Sequence, residues 1–146
     1  MQVTKLTLAA LLLASIPGLS QARDDALYPN FDAVVQKAIQ ARQLDGSVKF
    51  YLAGKPLTGK VDKLNEVVTN KKTNAFNKSD EEACTWVLQS ALITLQASAK
   101  QAGANAVVDI VSFYKRNEHR DAQNYECHAG TFVAGVALKG TLAKLQ

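Results

Sequence analysis

Two cysteines, Cys84 and Cys127, and two histidines, His119 and His128, carry most of the chemical potential of this 146-residue chain. A thiol pair of this kind serves as a disulfide, as part of a metal or redox site, or as free thiols. Cys127 adjoins His128, and His119 lies a little upstream, so a Cys and His cluster can be drawn. Its spacing matches no established zinc pattern, and adjacent strand residues such as Cys127 and His128 point to opposite faces. The reading favoured is therefore a structural disulfide, Cys84 to Cys127, with no cofactor; metal binding and free thiols are the alternatives.

Other constellations offer less. Asp80, Glu81 and Glu82 resemble a paired-carboxylate site, but acids at a helix start are explained by the positive end of the helix dipole. Gly54-Lys55-Pro56-Leu57-Thr58-Gly59-Lys60 has the glycine and lysine spacing of a phosphate-binding loop. Val61 stands where a hydroxyl would hold magnesium, and no helical periodicity follows, so the segment reads as a Gly-Pro turn. Ser79, Ser90, Ser98 and Ser112 lack a nucleophile-elbow context. The best functional surface is the polar loop holding Lys115, Arg116, Glu118, His119, Arg120 and Asp121, with His119 expected to be freely exposed.

The amino-terminal stretch sets the compartment. A basic start ending at Lys5, an apolar run from Leu6 to Ile16, a Pro17-Gly18 break and small residues Ser20 and Ala22 form an export signal, with cleavage expected after Ala22. The run is shorter than the roughly 20 residues of a spanning helix; an uncleaved anchor is the alternative. No cysteine lies near the cut to carry lipid. The expected product is a single domain, residues 23–146, in the periplasm, where a disulfide persists. Loss of Lys5 lowers the formal charge from +4 to +3, a mild basic excess that suits anionic polymers or lipid head groups. Nucleic acid is disfavoured by compartment and by the lack of interleaved aromatic and basic residues.

The positioning elements follow from periodicity. A first helix is expected after Asn30, carrying Val34, Val35, Ala38 and Ile39 on one face and ending at Leu44. Val48, Phe50 and Leu52 alternate with Lys49 and Tyr51 as a half-buried strand. Gly54, Pro56 and Gly59 then mark a hairpin-like connection to a less regular strand containing Leu64, Val67 and Val68. Ser79 and Glu82 form a capping-box pattern ahead of a second helix that ends at Gly103, with Cys84 on its apolar stripe. Ala104 to Tyr114 reads as a strand covered on much of both faces. Tyr125 to Leu138 reads as its antiparallel partner, with Lys115 to Asn124 as the hairpin connection. The expected class is α+β, two layers in the order α-β-β-α-β-β, with two helices on a mainly antiparallel sheet.

The segment from Cys84 to Leu138 contains Gly103-Ala104-Asn105-Ala106-Val107-Val108 after a helix and the later strand Gly130-Thr131-Phe132-Val133-Ala134-Gly135-Val136-Ala137-Leu138. It resembles the core of small bacterial domains of the Rcs stress-sensor lipoprotein and YbjQ-like type, in which such a helix feeds a strand pair. The resemblance implies a bridge from helix to last strands, which Cys84 and Cys127 can supply. This chain lacks the lipid-bearing cysteine and a second bridge, so the signalling role does not carry over, and it has no cluster for the metal binding suspected of YbjQ-like domains.

The leading expectation is a non-catalytic periplasmic module that binds an envelope protein or anionic polymer through its sheet edge or the loop from Lys115 to Asn124. A ligand or metal binder using His119 and His128 is the first alternative. A hydrolase is third, because no nucleophile, base and orienting group can be named together.

Overall fold

A computed structural model describes residues 23–146; the expected leader, Met1 to Ala22, lies outside them. Within these residues the order is β1 (Asp25–Leu27), α1 (Phe31–Gln40), β2 (Lys49–Leu52), β3 (Val61–Asn74), α2 (Asp80–Gln101), β4 (Ala106–Ser112), a single turn over Tyr114–Arg116, β5 (Cys127–Ala129) and β6 (Val133–Leu145). The chain is α+β with two helices, and no helix described is long and apolar enough to cross a membrane.

Local chemistry fixes both helices. The Asn30 side chain accepts the Ala33 amide at 2.8 Å, which satisfies one orphan donor at the start of α1. That helix buries Phe31, Val34 and Ala38 and ends at Gln40, short of the expected Leu44. Arg42 is left-handed at φ 59°, and the Leu44 amide turns back to the Ala38 carbonyl, so Leu44 is buried by the turn. For α2, Ser79 Oγ accepts the Glu82 amide at 3.1 Å, and Asp80, Glu81 and Glu82 lie at the positive dipole end. Its inward stripe of Cys84, Val87, Leu88, Ala91, Leu92, Leu95 and Ala99 is almost wholly sealed from solvent. Each large side chain on it contributes roughly 1.5–3 kcal/mol through burial.

The sheet is organised by β6. Along one edge it pairs antiparallel with β3 from Val61↔Leu145 to Asn74↔Val133. Along the other it pairs first with β5, through His128↔Gly135 and Ala129↔Ala134, and then with β4, from Ser112↔Leu138 to Ala106↔Ala143. β1 adds antiparallel to β5, and β2 adds parallel to β4.

Three expectations about topology are corrected. The order is β-α-β-β-α-β-β-β, because three-residue β1 is too short to show a period. β2 and β3 are not a hairpin: their connection leads β2 to β4 and β3 to β6, so Gly54 to Lys60 is a loop entering a strand. Tyr125 to Leu138 is two strands, β5 and β6, closed by the Gly130 amide donating to the Val133 carbonyl at 2.8 Å. Cys127 therefore opens β5 rather than the last strand.

Gly140 shows how closely β4 and β6 approach. Between Val108 and Val111 the register shifts, with Asp109 at φ 51°; such a bulge is tolerated by an Asp more readily than by a branched residue. A Cβ on Gly140 would lie 2.9 Å from Val107 Cγ1 and 3.1 Å from Ile110 Cγ1. The missing side chain thus lets Val107 and Ile110, both fully buried, enter the core.

Helix and sheet are fastened twice at one point. Cys84 and Cys127 form a disulfide with Cα atoms 5.8 Å apart, both sulfurs buried. Two residues earlier, buried Tyr125 donates its hydroxyl to the Cys84 carbonyl at 3.0 Å. Burial, with a lesser contribution from the Glu81 charge, pushes the Tyr125 phenol up, so it stays a donor across the working pH range. Replacing both cysteines by Ala should lower unfolding stability by roughly 4 kcal/mol, from the loop closed over a separation of 43 residues. Tyr125→Phe should cost about 1 kcal/mol. Urea unfolding of the two variants measures both, and equal stability of all three proteins would contradict the double fastening.

Candidate functional site

Since β4 and β5 both run antiparallel to β6 along one edge, they behave as a single strand interrupted by an excursion, residues 113–126. The Ser112 hydroxyl accepts the Glu126 amide at 2.9 Å, which holds the two ends of the excursion together. The Phe113 amide still donates to Ala137 at 2.8 Å, and then the chain leaves the sheet. His119 brings it back alongside, exchanging two backbone hydrogen bonds with Ser112 at 2.9 and 3.1 Å. The expected hairpin from Lys115 to Asn124 is thus an excursion with fixed ends.

The first corner of this excursion is strained. Lys115 and Arg116 both occupy the left-handed region, at φ 51° and 63°. Each non-glycine residue there costs roughly 1–2 kcal/mol, so the conformation persists because its surroundings hold it. The Lys115 ammonium lies 5.4 Å from the Tyr114 ring centroid and the Arg116 guanidinium 5.4 Å from that of Phe113. Lys139, from β6, sits 4.9 Å from the Phe113 ring, so that ring is flanked by two cations.

The acids of the excursion are all engaged internally. Glu118 pairs with Lys139 and, at 3.4 Å, with Arg120. The Lys139 hydrogen bond, reinforced by its charge, holds the Glu118 carboxyl below its usual range. Asp121 accepts the amides of Gln123 and Asn124 at 2.8 and 3.0 Å, and these bonds lower its carboxyl in the same way. Glu126 lies 2.5 Å from His128 Nε2. Lys115 and Arg116 are exposed, and among the described residues neither forms a salt bridge.

His128 is the second feature of the site. Its ring stacks on Tyr114 with centroids 3.4 Å apart, and its Nδ1 lies 3.0 Å from Asp24. Tyr114 also donates its hydroxyl to Asp24 at 3.3 Å, and burial chiefly, then the Asp24 charge, pushes its phenol up. With one nitrogen of His128 facing Asp24 and the other facing Glu126, the ring is fully engaged between two carboxylates. It braces β5 against the residues that precede β1.

The expected site residues therefore separate. Lys115 and Arg116 form one cationic corner, while Glu118, Arg120 and Asp121 hold the excursion in shape. His119 is corrected: rather than freely exposed, it is half-buried with its ring 4.8 Å from Tyr28, and its Nε2 is buried with no hydrogen-bond partner. His119 and His128 thus engage different partners, and no group of three or more His, Cys, Asp or Glu among the described residues is placed to hold a metal ion. Arg23, Asp24, Tyr114, Glu126 and Lys139 escaped the sequence reading. Glu126, immediately ahead of β5, stands two residues from His128 and meets its ring, a spacing that offered a signal.

Arg23, next to Asp24 in sequence, ties the residues ahead of β1 to α2 and to the turn after β5. Its guanidinium binds Asp80 through both nitrogens at 2.8 and 2.9 Å, Asp25 at 2.8 Å and the Gly130 carbonyl at 3.0 Å. The acids at the start of α2 thus include a structural ion pair as well as dipole compensation.

The lowered Glu118 carboxyl has a pH consequence. A group whose folded value lies below its unfolded one stabilises above the unfolded value and loses that contribution as pH falls through the folded one. We expect carboxyl NMR of Glu118 to titrate below the ordinary value of about 4.3, and to return towards it in Lys139→Ala. An unshifted midpoint in the parent protein would show that the pair does not form in solution.

No family model, curated protein or solved structure matches this chain.

Proposed function

We propose that this protein is an exported, non-catalytic module of the bacterial envelope that binds anionic groups on an envelope polymer through the corner formed by Lys115 and Arg116. The observation that carries the reading is the division of charge in the excursion: every acid is held internally, while two adjacent cations are left exposed on strained backbone. Strain of this kind gathers at sites of function. The Lys115 ammonium and the Arg116 guanidinium each lie over an aromatic ring, Tyr114 and Phe113, which restricts both side chains before an anion binds.

The buried disulfide suits an oxidising compartment. His119 packs on Tyr28 and both ring nitrogens of His128 face carboxylates, contacts that support a structural role for the two imidazoles.

Titration with heparin as a soluble polyanion tests the proposal. Binding should weaken as salt rises, since surface charge attraction is screened. A Lys115→Ser/Arg116→Ser variant should bind at least tenfold more weakly, at about 1 kcal/mol for each cation near an anionic surface. Lys37→Ser/Lys49→Ser, at a distance from the corner in sequence and of equal charge change, should bind as the parent does. Equal weakening by both variants would reduce the effect to net charge and overturn the assignment.

A further inference from the structure

β3 is a long strand with one edge unused. It pairs with β6 alone, while α2 covers one of its faces. The row of amides and carbonyls on its other edge has no strand partner among the described residues. Small proteins blunt such edges, because an open row of backbone groups is a template for pairing with another chain.

The phase of the open row follows from the closed one. Across the unbroken register from Glu66↔Thr141 to Asn74↔Val133, continued by the Ala75 amide donating to the Phe132 carbonyl at 2.8 Å, odd-numbered residues direct their backbone groups at β6. Residues Glu66, Val68, Asn70 and Lys72 therefore direct theirs outwards. Their side chains share one face of the sheet and are all exposed, with Val68 at 54%. Odd-numbered Val67 and Thr69 turn to the opposite face, where Thr69 is buried and Val67 packs against the core.

We infer that β3 pairs antiparallel with β3 of a second copy of this chain, about a two-fold axis at Thr69, joining the two sheets into one. A two-fold interface places each residue opposite its mirror, so the sequence must complement itself. Only registers that pair even with even keep both faces consistent and align the open hydrogen-bonding groups. Centring on Thr69 sets Glu66 opposite Lys72 of the second copy, and Lys72 opposite its Glu66. Val68 then faces Asn70, and the two Val68 side chains become diagonal neighbours on the exposed face. Val67 faces Lys71, so no like charges are opposed. Centring two residues further along would put Lys71 against itself; centring on Val67 would set Lys63 against Lys71. Centring on Val68 opposes no like charges and makes no ion pair. Within the described residues, Glu66 and Lys72 have no salt-bridge partner of their own in the single chain. The lysines that would repel a foreign strand thus become selective for a copy carrying Glu66 in the mirrored place.

Sedimentation velocity on the purified protein from about 1 µM to about 1 mM tests the inference. The parent should pass from monomer to dimer across that range. Glu66→Lys and Lys72→Glu should each weaken the dimer by about tenfold, since either turns two attractive pairs into two repulsive ones. The reciprocal variant Glu66→Lys/Lys72→Glu restores complementarity and should restore the parental dimer. In an equimolar mixture of the two single variants one copy carries lysine and the other glutamate at both positions, so both mirrored pairs of the heterodimer are attractive and the mixture should associate about as tightly as the parent. Val68→Pro removes an outward amide and should abolish pairing, with far-ultraviolet circular dichroism confirming that the domain is folded. A parent that is monomeric throughout, or whose dimer ignores the charge reversals, would overturn the proposal; a monomer would leave the edge to the strand of a different protein. The heparin titration is read independently, at a corner on the opposite side of β6 from β3, so failure of one result does not imply failure of the other.

Discussion

A strand offers two rows of backbone donors and acceptors, and in β6 one row is filled by β3 while the other is divided between β4 and β5. A row shared in this way obliges the chain between its two occupants to leave the sheet, and the segment from Phe113 to Glu126 does so. The remaining architecture follows from keeping that divided edge closed. Ser112 and Glu126 are joined across the gap, Cys127 is bonded covalently to α2 immediately after it, and Tyr125 adds a hydrogen bond to the same turn of the helix. The Gly140 approach and the β4 bulge let the second occupant of the row pack as tightly as the first.

Much of this organisation is local enough to be read from residues alone. Asn30, Ser79 and Gly103 mark helix ends through their own backbone chemistry, and the apolar stripe of α2 repeats over many turns, so both helices and the Cys84 to Cys127 bridge are legible. The motif around Gly103 also has a visible structural reason: Gly103 is left-handed at φ 71°, and the Asn105 amide group both donates to and accepts from the Leu145 backbone, at 3.0 and 2.8 Å. It fastens the start of β4 to the end of β6.

What was illegible is non-local. β3 has an exposed polar face and an open edge, so its sequence carries little alternation although it is the longest strand. The parallel pairing of β2 with β4 links segments separated by a helix and has no turn to announce it. The division between β5 and β6 is hidden because Gly130 and Thr131 interrupt an otherwise apolar run. At the candidate site, Lys115 and Arg116 were visible as charges, but the pairing that sets them apart depends on Lys139 and Asp24, which approach only once the sheet is assembled.

The ends of the excursion are tied to one another, and its interior also reaches back into the framework, through His119 to Ser112, Glu118 to Lys139, Tyr114 to His128 and Tyr125 to Cys84. The cost of closing a loop grows only slowly with its length, so length alone constrains this segment little; these contacts constrain it residue by residue. The exposed corner at Lys115 and Arg116 makes none of them, which leaves it the part of the excursion most open to replacement. Substitutions there change the charge of the surface while β6 and its neighbours stay as they are.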